Sequence, residues 1–156
     1  MIRRPPRSTR KESSAASDVY KRQLKPLENK NFLDLYAGSG MIGFEASSRG
    51  ADNVTFIEMN KQHMIQIRKS AESIPYSNFN FLVRESIRFL KKCEKYDIIF
   101  ADPPYGIGNL TLLVDLACKK LNPGGVFILE CSKNESLAGY FKSGKFGNTQ
   151  LLYWKE

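Results

Sequence analysis

The sequence predicts a Rossmann-like α/β domain, with a mostly parallel sheet that ends in a C-terminal antiparallel hairpin. Three observations predict it. Short apolar runs alternate with stretches of helical spacing from Asn31 onward, a glycine-rich turn links the first run to the first helix, and the tail places a Gly-Asn turn between two extended runs.

The elements follow in order. Phe32 to Tyr36 (FLDLY) reads as a strand and Ala37-Gly38-Ser39-Gly40 as a tight turn. Met41 to Arg49 has helical spacing and stops at Gly50, a residue suited to the left-handed position past a helix end. Asn53 to Ile57 is a second strand, and Lys61 to Ser73 a helix that ends before Pro75. Asn80 to Val83 is a third strand, with a helix from about Ser86 to Lys92. Tyr96 to Ala101 (YDIIFA) reads as a buried fourth strand, and Asn109 to Leu121 as a helix closed by Asn122-Pro123-Gly124-Gly125. Val126 to Glu130 is a fifth strand; Tyr140 to Phe146, Gly147-Asn148 and Thr149 to Trp154 form the closing hairpin.

At 156 residues the chain fits one domain with a sizeable core. No run approaches the roughly 20 apolar residues of a membrane span, and no secretory signal is visible, so a soluble cytoplasmic protein with no membrane partner is expected. Cys93, Cys118, Cys131 and the single histidine, His63, are widely spaced. They predict reduced, mostly structural thiols and no metal site.

The net charge of +8 is unevenly placed. Residues 1–23 hold seven basic side chains against Glu12 and Asp18, so most of the excess sits there and the rest of the chain carries only a mild polyanion preference. The same segment is rich in Arg, Ser and Pro and lacks periodicity, which predicts disorder. Its string IRRPPRSTRKESSAASDVYKRQ also resembles the translation of sequencing-adapter read-through. The expectation is a non-native segment over 1–23, with the domain beginning near Leu24.

Gly38-Ser39-Gly40-Met41-Ile42-Gly43 matches G-x-G-x-x-G between a strand and a helix. Glycines allow a sharp turn and close backbone approach to a ligand, and the helix start presents free N–H groups. Glu58, 20 residues after Gly38, ends the second strand, where a carboxylate can hold ribose hydroxyls. A nicotinamide dinucleotide and S-adenosylmethionine fit these features equally. Asp34 separates them: beside this turn a carboxylate repels a pyrophosphate but favours an ammonium and a sulfonium. Glu85, after the third strand, could accept from an adenine amino group or simply favour a helix start.

Asp102-Pro103-Pro104-Tyr105 ends the fourth strand, on the edge where open α/β sheets bind ligands. Two prolines make a stiff loop without N–H groups. A base's exocyclic amine is a poor nucleophile because its lone pair is delocalised. The Asp102 carboxylate and a proline carbonyl can accept its N–H bonds and orient the nitrogen, while Tyr105 stacks on the extruded base.

The segments FLDLYAGSGMIGFEASSRGA, FIEMN, YDIIFADPPY, GGVFILE and KFGNTQLLYW, in this order, resemble the bacterial RsmD-type methyltransferases over about Asn31 to Trp154. That family makes N2-methylguanine in small-subunit ribosomal RNA. The resemblance implies a class I S-adenosylmethionine-dependent methyltransferase fold and a monomer acting on ribosomal RNA or the small-subunit particle. Carried over by position, it implies that Asp34, Gly38, Gly40 and Glu58 hold the cofactor, and that Asp102, Pro103, Pro104 and Tyr105 hold the guanine; Tyr36, Ala37, Ser39, Gly43, Met59, Glu85 and Ser86 are expected as further cofactor residues beside them. The pattern departs at Arg84-Glu85, where the family has Gly-Asp. The family's N-terminal segment, which contributes RNA contacts and a helix over the cofactor, is also expected to be missing before Leu24; weak cofactor binding and low activity follow. The competing readings are an adenine-N6 methyltransferase on DNA or RNA, an NAD-dependent oxidoreductase and a non-catalytic nucleic-acid-binding module.

Overall fold

The computed structural model describes residues 27–74 and 78–156. The expectations for residues 1–23, for a start near Leu24 and for Pro75 lie outside the described residues. One seven-stranded sheet has the order β3-β2-β1-β4-β5-β7-β6. Strands β1 (Asn31–Leu35), β2 (Asn53–Glu58), β3 (Asn78–Val83), β4 (Tyr96–Ala101) and β5 (Leu121–Ser132) pair in parallel. Strand β7 (Thr149–Lys155) pairs antiparallel with β5, and β6 (Lys142–Phe146) antiparallel with β7. This is the mostly parallel sheet with a closing antiparallel hairpin that the alternation and the tail predict, and it is the arrangement that the family resemblance implies.

Successive side chains of a strand point to opposite faces. Leu33 and Leu35 therefore join one core with Ile57, Ile99 and Leu129, while Phe32 joins a second with Val54, Phe56 and Phe100. Helices α1 (Met41–Ser48) and α2 (Lys61–Ala71) cover the second core through Ala46, Met64 and Ile67. Helices α3 (Ser86–Leu90) and α4 (Leu110–Lys119) cover the first through Leu90, Leu113 and Ala117. Because both faces are covered, the inner strands are apolar at nearly every position.

Gly43 sets how closely α1 can lie on β2. A Cβ there would stand 2.3 Å from Phe56 Cε1 and 2.9 Å from Val54 Cγ1. The Phe56 ring in turn meets Phe44 at 5.0 Å between centroids.

Several boundaries differ from the sequence expectation. Tyr36, read as the last residue of the first strand, has left it for a positive φ of 55°, so the turn begins one residue early. Strand β3 starts at Asn78 rather than Asn80, drawn out by pairing with Asn53 and Val54 of β2. Asn122-Pro123-Gly124-Gly125 does not separate a helix from a strand but bulges within β5: Leu121 pairs with Tyr96, and Val126 with Ile98. The Asn122 amide donates to Asp97 Oδ1 at 3.1 Å, and Asp97 Oδ2 accepts from the Asn31 N–H at 2.8 Å. That corner locks the edge of the sheet opposite the functional one.

Candidate active site

The carboxyl ends of β1, β2, β4 and β5, the β3–α3 connection and the start of β7 surround a cleft of about 610 Å³. It brings together Tyr36, Gly38, Glu58, Met59, Glu85 and Ser86 with Asp102, Pro103, Pro104 and Tyr105. Asp34, Ala37, Ser39, Gly40 and Gly43, also read as cofactor residues, do not line it. Ser39 is exposed, and Ala37 and Gly43 are buried beneath the turn.

The turn is held from behind and from the side. Asp34 is 1% exposed, and its Oδ2 accepts from the Gly43 N–H at 3.0 Å. Burial pushes the Asp34 carboxyl well above the usual range, the Gly43 bond pulls it back, and the charges of Asp102 and Glu58 push it up again. Gly38, at φ 58°, donates its N–H to Glu58 Oε1 at 2.8 Å, and Asn60 donates to Glu58 Oε2 at 2.8 Å. Gly40, at φ 80°, leaves no room for a side chain, because a Cβ would lie 2.9 Å from the Phe44 ring. The Ala37 N–H donates to the Ile57 carbonyl at 3.0 Å, and the Tyr36 N–H to Ser86 Oγ at 3.3 Å. Glu85 caps α3, accepting from Ile87 N at 2.6 Å and Arg88 N at 3.1 Å.

Across the cleft the acids are arranged differently. Asp102 and Glu130 have no hydrogen-bond or ion-pair partner among the described residues. Desolvation by the surrounding walls pushes the Asp102 carboxyl up to about 6, and the Glu130 charge adds to it. Tyr105 beside them is 74% exposed, with an open ring face.

Among the described residues the lining contains Glu58, Glu85, Asp102 and Glu130, one histidine, and no Lys or Arg. An acidic cleft in a chain of net charge +8 favours a cationic ligand and disfavours a phosphorylated one. The Tyr36 hydroxyl is buried and has no partner among the described residues, and burial followed by Glu85 pushes its pKa to about 12. It is a donor held ready for a ligand's acceptor. S-adenosylmethionine, with its ammonium, sulfonium and hydroxyl groups and no phosphate, fits this donor and acceptor set.

Asn60, His63, Glu130, Cys131 and Thr149 also line the cleft and were not singled out from the sequence. Asn60 and His63 start α2, where Asn60 Oδ1 accepts from Gln62 and His63. Glu130 had a readable signal, because the apolar run from Val126 that reads as a strand stops there, at the ligand-binding edge. Thr149 had none, since only the pairing of β7 with Ser132 brings it there.

A family model described as conserved hypothetical protein 95 matches residues 7–155. The ribosomal RNA small subunit methyltransferase D of Haemophilus influenzae is 34% identical over 112 residues, which are 67% of this chain and 58% of that protein. The chain thus spans little more than half the length of that relative. A Haemophilus influenzae protein solved as a candidate methylase superimposes with a TM-score of 0.78 at 25% identity, covering 90% of this chain and 87% of the other. A Thermus thermophilus 16S rRNA N2-guanine methyltransferase, solved with AdoMet and guanosine, superimposes with a TM-score of 0.71 at 20% identity, covering 91% and 42%.

Proposed function

This chain belongs to the family described as conserved hypothetical protein 95, the RsmD-type family, and on that premise we propose that it transfers a methyl group from S-adenosylmethionine to the exocyclic N2 amine of a guanine in small-subunit ribosomal RNA. One observation carries the proposal. One acidic cleft, with no Lys or Arg in its lining among the described residues, joins the Gly38 turn and Glu58 to the Asp102–Tyr105 loop, so donor and acceptor can meet.

Glu58, Gly38, Met59, Ser86 and Tyr36 would hold the cofactor, with Asp34 setting the turn from beneath. When bound, S-adenosylmethionine supplies an electrophilic methyl carbon on a positively charged sulfur. The acids near that charge favour it electrostatically, and the preset turn avoids an ordering cost at the moment of binding.

On the acceptor side Tyr105 stacks on the extruded base, and Asp102 with the Pro103 carbonyl accepts the two N–H bonds of the amine. These contacts would turn the nitrogen lone pair toward the methyl carbon that bound S-adenosylmethionine would supply, so that a C–N bond could form as the C–S bond breaks. Nitrogen must then lose a proton. A carboxyl with a pKa of about 6 can hold that proton at Asp102 and return it to water at neutral pH. The reading extends to a monomer working in the cytoplasm without a metal ion, on RNA or on the assembling particle.

The test is incubation with methyl-labelled S-adenosylmethionine and small-subunit RNA or particles, followed by mass spectrometry of the nucleosides. Labelled N2-methylguanosine is expected. Labelled methyladenosine would move the substrate to the adenine-N6 class, and no label in either would remove the activity.

A further inference from the structure

The five acids around the cleft divide into two kinds. Asp34, Glu58 and Glu85 each accept from backbone N–H groups, and those bonds hold a turn or a helix start. Asp102 and Glu130 hold nothing among the described residues. They also stand side by side. Ala101 and Leu129 are partners in the parallel β4–β5 ladder, so Asp102 and Glu130 are the next residues of adjacent strands, at the edge that opens into the cleft.

Two like charges placed together repel, and a ligand that supplies donors to both relieves that repulsion. The donors must be as close as neighbouring strands, about 4.8 Å apart. Resting on the guanine-N2 reading, we propose that Glu130 is a specificity-determining residue that accepts the N1–H of the target guanine while Asp102 accepts from its N2 amine. Guanine presents two adjacent donors on this edge, N1–H and N2–H. Adenine presents an amine beside the bare N1 lone pair, which faces a carboxylate repulsively. The pair therefore selects guanine by rewarding one base and penalising the other. Glu130 itself touches no reacting atom.

The test uses the full chain with guanosine and with 2-aminopurine riboside, which keeps the exocyclic amine but replaces N1–H by a lone pair. The fluorescence of 2-aminopurine reports its binding directly, and guanosine is measured by competition. Wild type should prefer guanosine by about 10-fold or more, the range of one hydrogen bond to a charged group. Glu130→Gln, which can turn an amide N–H toward the lone pair, should bring the ratio to about one or below. Carboxyl NMR gives a second readout: Asp102 should titrate at lower pH in Glu130→Gln than in wild type. Preferential guanosine binding that survives Glu130→Gln unchanged, with Asp102 unmoved, overturns the role of Glu130 and leaves the guanine reading standing. No binding of either nucleoside overturns both.

Discussion

The two halves of the cleft are built from the same residue type in opposite ways. Around β1, β2 and the start of α3, carboxylates are consumed in shaping the backbone: Glu58 alone ties Gly38 and Asn60, and Asp34 ties Gly43. Around β4 and β5, carboxylates are left without partners among the described residues, one with its pKa raised to about 6. On the proposed reading, the first half is a preset mould for a methyl donor that enters in the same shape on every cycle. The second would keep its hydrogen-bonding capacity for an amine that must be gripped, turned and relieved of a proton. Structure and chemistry are thus separated by strand within one cleft.

The sharpest way to break this contrast is to truncate one acid from each half. Asp102→Ala should lower methyl transfer by about 10²–10³-fold, the scale of losing one preorganised polar contact to a reacting group. Its melting temperature should not fall, because the side chain makes no hydrogen bond or ion pair among the described residues. A variant that loses activity only by unfolding would contradict the division. Gly43→Ala should act entirely on the mould. The added methyl collides with Phe56 and Val54, and overpacking of this kind costs about 1–3 kcal/mol, readable by denaturant unfolding.

Glu58→Ala comes next. Removing both backbone bonds at the end of β2 should weaken cofactor binding about tenfold by calorimetry, roughly one charged hydrogen bond, while nucleoside binding in the other half stays unchanged.

The smallest effect is in the pH profile. Asp102 must be ionised to accept from the amine, so kcat/KM should fall as pH drops below about 6. Asp102→Asn keeps an acceptor carbonyl but cannot titrate, so that acidic limb should vanish. The stability sign is the reverse. A carboxyl whose folded pKa is raised contributes stability at low pH that is lost as pH rises from the unfolded value through about 6. Asp102→Asn should therefore be slightly more stable than wild type above pH 6 and equal to it near pH 4, by thermal melts at each pH.

How much of this could be read in advance depended on range along the chain. The strand–helix alternation, the Gly38 turn and the placement of Asp102–Tyr105 on the ligand-binding edge were legible, because local period and turn chemistry carry them. The αL position of Tyr36 was not, because a residue at the end of an apolar run gives no sign that its backbone turns away. The Asn122–Gly125 bulge was misread as a turn, since its composition is that of a turn and only the pairing of β5 with β4 shows otherwise. Glu130 beside Asp102 is likewise a fact of register, fixed by two strands that are far apart in sequence. The places of Glu58 and Glu85 at the cleft were legible by position, while their backbone partners were not.

Amide NMR of the full chain titrated with S-adenosylhomocysteine tests the division of the cleft most directly. The account predicts shifts at Gly38, Met59 and Ser86, with Glu130 and Tyr105–Gly108 little changed until a guanine nucleoside is added. Shifts confined to the Tyr105–Gly108 loop and Glu130, with the Gly38 turn unmoved, would contradict it.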